Sequence, residues 1–145
     1  MKVTILLADS AQAVEGKLYI LGGGWSIAGP GPITMAIAIK IEVPWTEANT
    51  RHQVRVALFD EDEHLVTVPT QTGDQPLEFR IPFEVGRPPG LKVGTPLDVP
   101  MAINLAPFVL RPDSRYVWRC FINEATHDDW QVGFSTRPPQ PPSPG

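Results

Sequence analysis

The chain has a single cysteine, Cys120, in 145 residues. It cannot form an internal disulfide, so a disulfide-framed secreted domain is excluded. Clustered positive charge is equally scarce. The 12 lysines and arginines are scattered among 16 acidic residues, for a net charge of −4. Nucleic-acid binders carry a basic footprint, so no nucleic-acid partner is expected. An amphipathic basic segment for a membrane surface is missing too. No apolar run approaches the ~20 residues of a membrane-spanning helix. The nearest approach is at the start, where Lys2, the run Val3 to Ala8 and the triplet Ala11-Gln12-Ala13 imitate a signal peptide. That run falls short of the roughly seven to fifteen apolar residues of a secretory core, and Asp9 interrupts it. The expectation is a first strand in a cytoplasmic protein. Of His52, His64 and His127, no two stand at i, i+2 or i, i+4, so no local zinc pair exists.

What the sequence has in quantity is turn chemistry: 17 prolines and 12 glycines beside 42% hydrophobic residues. A chain of this length makes one ordinary domain with a core of its own. Between the turns the periodicity is two. Val3, Ile5 and Leu7 alternate with Lys2, Thr4 and Leu6. Asp9 to Gly16 reads as a polar loop and Lys17 to Leu21 as a second strand. Gly22-Gly23-Gly24 then marks a bulge or a close backbone approach.

The clearest strand follows the Gly29-Pro30-Gly31-Pro32 turn. Met35, Ile37, Ile39, Ile41 and Val43 share one face, with Ala36, Ala38, Lys40 and Glu42 on the other, an alternation no helix sustains. The small Ala36 and Ala38 imply close packing on the second face as well. Thr46 to Asn49 could form one helical turn with Thr46 as its N-cap. Val54 to Leu58 and Leu65 to Val68 read as a hairpin around the acidic turn Asp60 to Glu63, with Thr70 to Pro76 as loop. Leu77 to Phe83 is an edge or bulged strand because Pro82 lacks a donor. Further strands run through Val99 to Leu105, Tyr116 to Ile122 and Trp130 to Phe134.

About nine strands without βαβ alternation predict an all-β fold, a single antiparallel β-sandwich of Greek-key or jelly-roll type with at most one short helical turn. The domain is expected over residues 1–137. Residues 138–145, PPQPPSPG, are expected to be a flexible polyproline-type tail, able to present a ligand to an aromatic groove but more simply a free terminus.

The chemical motifs are sparse. Gly24-Trp25-Ser26-Ile27-Ala28 nearly matches G-x-S-x-G, but Gly29-Pro30-Gly31-Pro32 follows where a nucleophile elbow needs a helix. The three glycines lack the G-K-[ST] of a phosphate loop. His127-Asp128-Asp129 imitates an oriented base without a nucleophile nearby. Cys120 alternates with Trp118 and Ile122, which predicts a buried, inert thiol. Asp60, Asp62 and His64, joined by Asp128 from another turn, are the candidate ligands for a hard cation if the loops converge. Exposed hairpin turns are also acidic for solubility alone. Trp25 and Trp45 stand beside glycine or proline at strand ends, where an aromatic either closes the core or anchors a partner.

The LLAD of Leu6 to Asp9, the GKLYILGGGW of Gly16 to Trp25 and the strand Met35 to Lys40 resemble a family of small bacterial proteins, common in actinobacteria, to which no activity is assigned. The likeness covers most of Met1 to Arg137. It implies one all-β domain and carries no catalytic residue. The preference for arginine over lysine, eight against four, fits a GC-rich bacterial source.

The resulting expectation is a non-enzymatic binding or assembly module with no cofactor, acting on a protein partner or a second copy. Gly22, Gly23, Gly24, Trp25 and Trp45 are the expected contact residues. The alternative is a metal-dependent or small-ligand-binding protein using the acidic loops.

Overall fold

The computed structural model describes residues 1–141. Over these described residues the chain is nearly all β, with eleven strands in three sheets and one 3-10 turn at Trp45–Glu47. The first sheet has the order β2-β1-β4-β9, from β1 (Lys2–Val14), β2 (Lys17–Gly23), β4 (Ala36–Val43) and β9 (Leu97–Asn104). The second has the order β3-β11-β10-β5-β8, from β3 (Ile27–Ala28), β5 (His52–Asp60), β8 (Glu78–Phe83), β10 (Arg115–Ile122) and β11 (Gln131–Thr136). A small hairpin, β6 (Thr67–Thr70) with β7 (Gly73–Pro76), forms the third. The pairings are antiparallel except for β3 with β11, which is parallel.

Side chains from the two large sheets share one apolar core, as the alternation requires. From β4 come Ile37, Ile39, Ile41 and Val43, all fully buried, and Met35 just before them is 1% exposed. From β5 and β10 come Val54, Val56, Leu58, Trp118 and Cys120, also fully buried. Trp118 donates its indole N–H to the Met35 sulfur at 3.3 Å, so the largest core side chain leaves no polar atom unpaired. At ~25 cal/mol per Å2, a fully buried side chain of this class contributes roughly 1.5–3 kcal/mol.

The expected second buried face is present. Ala36 and Ala38 join Ala8 and Ala11 in a separate cluster, packed by Leu6, Leu18 and Ala102. β1 changes its pairing partner along its length. Residues Lys2 to Ala8 pair with β4, and from Ala8 onward the strand pairs with β2 instead. The second half of β1 and β2 thus form an arm that leans over the end of the sheet, and only small side chains leave it room.

Several expectations are corrected. Asp9 to Gly16 is not a loop: strand runs to Val14, and Glu15-Gly16 alone makes the turn, with φ of 51° and 75°. Positive φ at both positions is the type I′ geometry that matches strand twist. Thr46 does not cap a helix; the 3-10 turn starts after Pro44 and has no side-chain cap. Leu65 to Val68 is not a full partner of β5, which pairs with β8 and β10, while Leu65 makes only an isolated bridge to Phe59. Thr70 to Pro76 is not loop but the β6–β7 hairpin. These segments, with the two-residue β3, raise the strand count from about nine to eleven. Pro82 does lie on an edge strand, β8. Of the proline-rich stretch 138–145, residues 142–145 lie outside the described residues.

Candidate functional site

The arm is where the chain departs most from an ordinary buried-face, wet-face strand. A two-residue hairpin loop places Val14 opposite Lys17 as a hydrogen-bonded pair, so Gln12↔Tyr19 and Ser10↔Leu21 are hydrogen-bonded too. Ala11↔Ile20 and Ala13↔Leu18 are then non-hydrogen-bonded pairs, whose backbone groups point away from the hairpin. Ala11 confirms this register. Its N–H donates to Asn104 Oδ1 at 3.2 Å, and its carbonyl accepts from Asn104 Nδ2 at 2.8 Å. Asn104, at the end of β9, thereby pins the arm to the sheet across β4.

The arm's inner face carries Ala11 and Leu18. Its outer face carries Val14, Tyr19 and Leu21, which are 46%, 55% and 70% exposed and stand opposite Lys17, Gln12 and Ser10 in turn, while Ile20 at the edge is 40% exposed. A concentration of large apolar side chains in water on one hairpin is unusual for a surface with no partner. The other exposed large apolar residues, Ile27, Leu65, Val93 and Val109, are dispersed along the chain.

The glycine run closes the arm. Gly22 has φ +61°, and a side chain there would run into the Asp9 carboxylate. At Gly23 a Cβ would come within 2.6 Å of Ile20 Cγ2 and 3.2 Å of Leu6 Cδ1. Close approach therefore explains both. After them Gly24 donates its N–H to the Leu7 carbonyl at 2.7 Å. Trp25 packs edge-on to Phe134 with centroids 6.4 Å apart, half-buried, and its indole N–H has no partner among the described residues. Around it, Asp9, Ile27, Pro32, Thr34 and Arg137 line a shallow hollow. Trp45 lies at another corner, half-buried, with the Arg87 guanidinium 4.6 Å above its ring and donating to its carbonyl at 2.6 Å. It lines an apolar hollow with Met1, Pro44 and Pro96. The two tryptophans thus border different hollows.

The acidic turn is the second cluster. Asp60, Asp62 and His64 each offer a ligand atom, and those atoms lie within 4.8 Å of one another. Asp128 is not part of that group; its charge acts on Arg119 instead. Asp60 Oδ1 accepts the backbone N–H groups of His64 and Asp62, both at 2.9 Å. The bond from the His64 N–H, helped by that from Asp62, holds the carboxyl below its ordinary range although desolvation pushes the other way. Beside the turn a polar cleft of about 470 Å3 runs between Glu61, Arg111, Ser114 and Arg115. Glu61 accepts the Arg115 N–H there at 2.8 Å.

The remaining polar groups serve the fold. His52 is buried, stacked on Phe83, and its Nε2 lies 3.0 Å from the Glu47 carbonyl. A carbonyl only accepts, so Nε2 carries the proton and Nδ1 accepts from Asn123 Nδ2 at 3.0 Å. Cys120 is buried, and desolvation pushes its thiol up to about 11, as an inert cysteine requires. On the outer face of the second sheet, Glu63 accepts from Arg119 at 2.8 and 2.9 Å and Glu124 from Arg55 at 3.0 Å. Those arginine bonds hold both carboxyls below the ordinary range.

Nothing local in Asp9 to Gly16 announces the arm's apolar surface, because that stretch is polar and small-residue in composition. Glu15-Gly16, with runs of matching length on either side, was the available hairpin signal. Asn104 carried no local signal, since its partner lies 93 residues away.

The geometry defines a class: an all-β domain whose two large sheets share an apolar core, with a pinned hairpin arm exposing several large apolar side chains and an acidic turn at a separate place. Residues 3–132 match the model of a family described as a family of unknown function, DUF6941. The chain belongs to that family. Comparison with curated proteins gives no match. Among the described residues, no helix is long and apolar enough to cross a membrane.

Proposed function

We propose that this chain is a non-enzymatic binding or assembly module built on a single β-sandwich, and that its contact surface starts at the β1–β2 arm. The observation that carries this reading is the group of exposed apolar side chains Tyr19, Ile20 and Leu21 on the edge strand β2, with Val14 of β1 beside them. Burying such side chains is worth roughly 1.5–3 kcal/mol each, enough to hold a partner with a few of them. Gly22, Gly23, Gly24 and Trp25 continue this surface, and Trp45 offers a separate anchor. A tyrosine corner supports the sandwich: Tyr116, near the start of β10, accepts the Arg111 N–H through its hydroxyl at 3.1 Å. The setting is the cytoplasm of a bacterium, the actinobacterial likeness being carried by the motifs from Leu6 to Lys40.

Affinity capture from a lysate of the source organism, read by mass spectrometry, tests the reading. The intact chain is compared with a Tyr19→Lys, Leu21→Lys variant and a Trp25→Ala, Trp45→Ala variant. A stoichiometric partner, or the chain's own second copy, retained by the intact chain and lost on the first variant supports the reading. Retention of nothing by the intact chain counts against it.

A second reading rests on the convergence of Asp60, Asp62 and His64. There the turn binds a divalent cation through those three groups, with Asp128 contributing only if its loop moves. Calorimetric titration with calcium and with zinc, on the intact chain and on Asp60→Asn, separates the two. Binding lost in the variant favours this reading, and no heat with either metal removes it.

A further inference from the structure

We infer that the free edge of β2 is a self-association seam, on which Lys17 to Leu21 pairs antiparallel with the same segment of a second copy. The inference rests on the binding-module reading and names its partner. The first ground is the backbone. β2 ends the four-stranded sheet, and the hairpin register turns the N–H and C=O groups of Leu18 and Ile20 outward. No other described backbone group takes those donors. An edge of this kind is a template for another strand.

The second ground is a contrast among the edges. Natural sheets blunt their edges with proline, charge or shortness. β9 has Pro100 within it, β8 has Pro82, and β3 spans only Ile27–Ala28. β2 has none of these devices: its only charge is Lys17, at its first residue, and its body is Leu18, Tyr19, Ile20 and Leu21. The edge left unprotected is also the one with the apolar row.

The third ground selects the occupant. A two-fold seam between identical antiparallel strands must place one residue opposite itself. With Tyr19 on the axis, Leu18 faces Ile20 of the second copy and Lys17 faces Leu21. The outward groups of Leu18 and Ile20 then meet as hydrogen-bonded pairs, giving about four N–H···O bonds. Tyr19 meets Tyr19 as the close non-hydrogen-bonded pair, and Gly16 meets Gly22, so neither end is obstructed. The two lysines fall at opposite ends, each with its aliphatic stem beside a leucine, and no like charges meet. Every large side chain of the strand gains an apolar neighbour from its own copy, and the two sheets become one of eight strands.

Sedimentation equilibrium of the full chain across about 1–200 μM reads the association, and thiol cross-linking reads the register. Ile20→Pro removes only an outward N–H, which an edge strand tolerates, and weakens the dimer at least about tenfold. Leu21→Lys weakens it similarly without touching the backbone, and serves if Ile20→Pro does not fold by circular dichroism. Val93→Ser, at an exposed apolar residue elsewhere, leaves it unchanged. Tyr19→Cys forms a disulfide-linked dimer on mild oxidation and Gln12→Cys does not. A chain monomeric throughout the range overturns the inference, as does a dimer indifferent to both Ile20→Pro and Leu21→Lys. A monomer that captures a different protein through Tyr19 and Leu21 overturns the self-association while the binding-module reading stands.

Discussion

Asn104 is the side chain whose removal most directly tests how the arm is held. Its amide makes two bonds to Ala11, one accepted from the N–H at 3.2 Å and one donated to the carbonyl at 2.8 Å. Asn104→Ala deletes both and strands two backbone groups of a residue that is only 2% exposed. Each bond is worth about 0.5–1.5 kcal/mol net, which sets a range of about 1–3 kcal/mol. Asn104 itself is exposed, so water reaches the vacated position and the lower half of that range is expected, about 1–2 kcal/mol. For a domain of this size that is a fall in melting temperature of about 3–7 °C. Urea unfolding followed by tryptophan fluorescence measures the loss. Hydrogen exchange locates it: protection falls for amides of Gln12 to Leu21 before those of β4 and β10. Asn104→Asp distinguishes hydrogen bonding from shape, because a carboxylate still accepts from the Ala11 N–H but faces its carbonyl unfavourably. A loss below about 0.3 kcal/mol with uniform exchange would refute the pin and leave the arm held by the alanine cluster alone.

Three further outcomes follow from the same contacts. Gly16 and Gly22 both have positive φ, but only Gly22 has no room for a Cβ. Gly16→Ala should cost about 1 kcal/mol of backbone strain, and Gly22→Ala clearly more; equal losses in chemical denaturation would show that the Asp9 contact is not limiting. The Cys120 thiol, pushed up to about 11 by burial, should resist Ellman's reagent at pH 8 in the folded chain and react at once in denaturant. Glu63 and Glu124 have folded values below their ordinary ones, so their contribution is present above the unfolded carboxylate range and fades as pH falls through the folded values. Melting temperatures between pH 6 and 3 should therefore fall less steeply in Arg119→Met than in the unmodified chain, and parallel curves would refute the linkage.

Where burial alone decided an element, the sequence was sufficient. Met35 to Val43 and Tyr116 to Ile122 keep strict alternation because one face must lie in the core, and both strands stand where that pattern put them. Pro82 marked an edge because a missing donor is a local fact. The misreadings fall where the governing contact is distant. Ser10 to Val14 has a polar, small-residue composition, and it is a strand because β2 pairs with it and Asn104 holds it from the far side. Thr67 to Pro76 pairs only within itself, in a four-residue ladder too short to impose a pattern. Asp60, Asp62 and His64 come together because one carboxylate closes its own turn, a local effect. Asp128 lies in another turn, whose position no spacing rule could supply. Trp25 and Trp45 share a local setting, a strand end beside glycine or proline, yet the fold sends them to separate hollows.

Trp25 brings the two levels together. Its ring is half-buried against Phe134, but its indole N–H finds no acceptor among the described residues. A buried donor without a partner costs about 1–3 kcal/mol, so a residue serving only to close the core would be better as phenylalanine. Trp25→Phe removes that donor while keeping most of the ring contact. If Trp25 is structural, the variant should match or exceed the parent in stability and leave any captured partner unaffected. If the indole ring instead serves as an anchor beside the Gly22 to Gly24 edge, stability should still hold but capture should weaken, because the smaller phenylalanine ring offers a partner less contact. Stability and capture falling together would reject both accounts and assign the N–H to a water inside the fold.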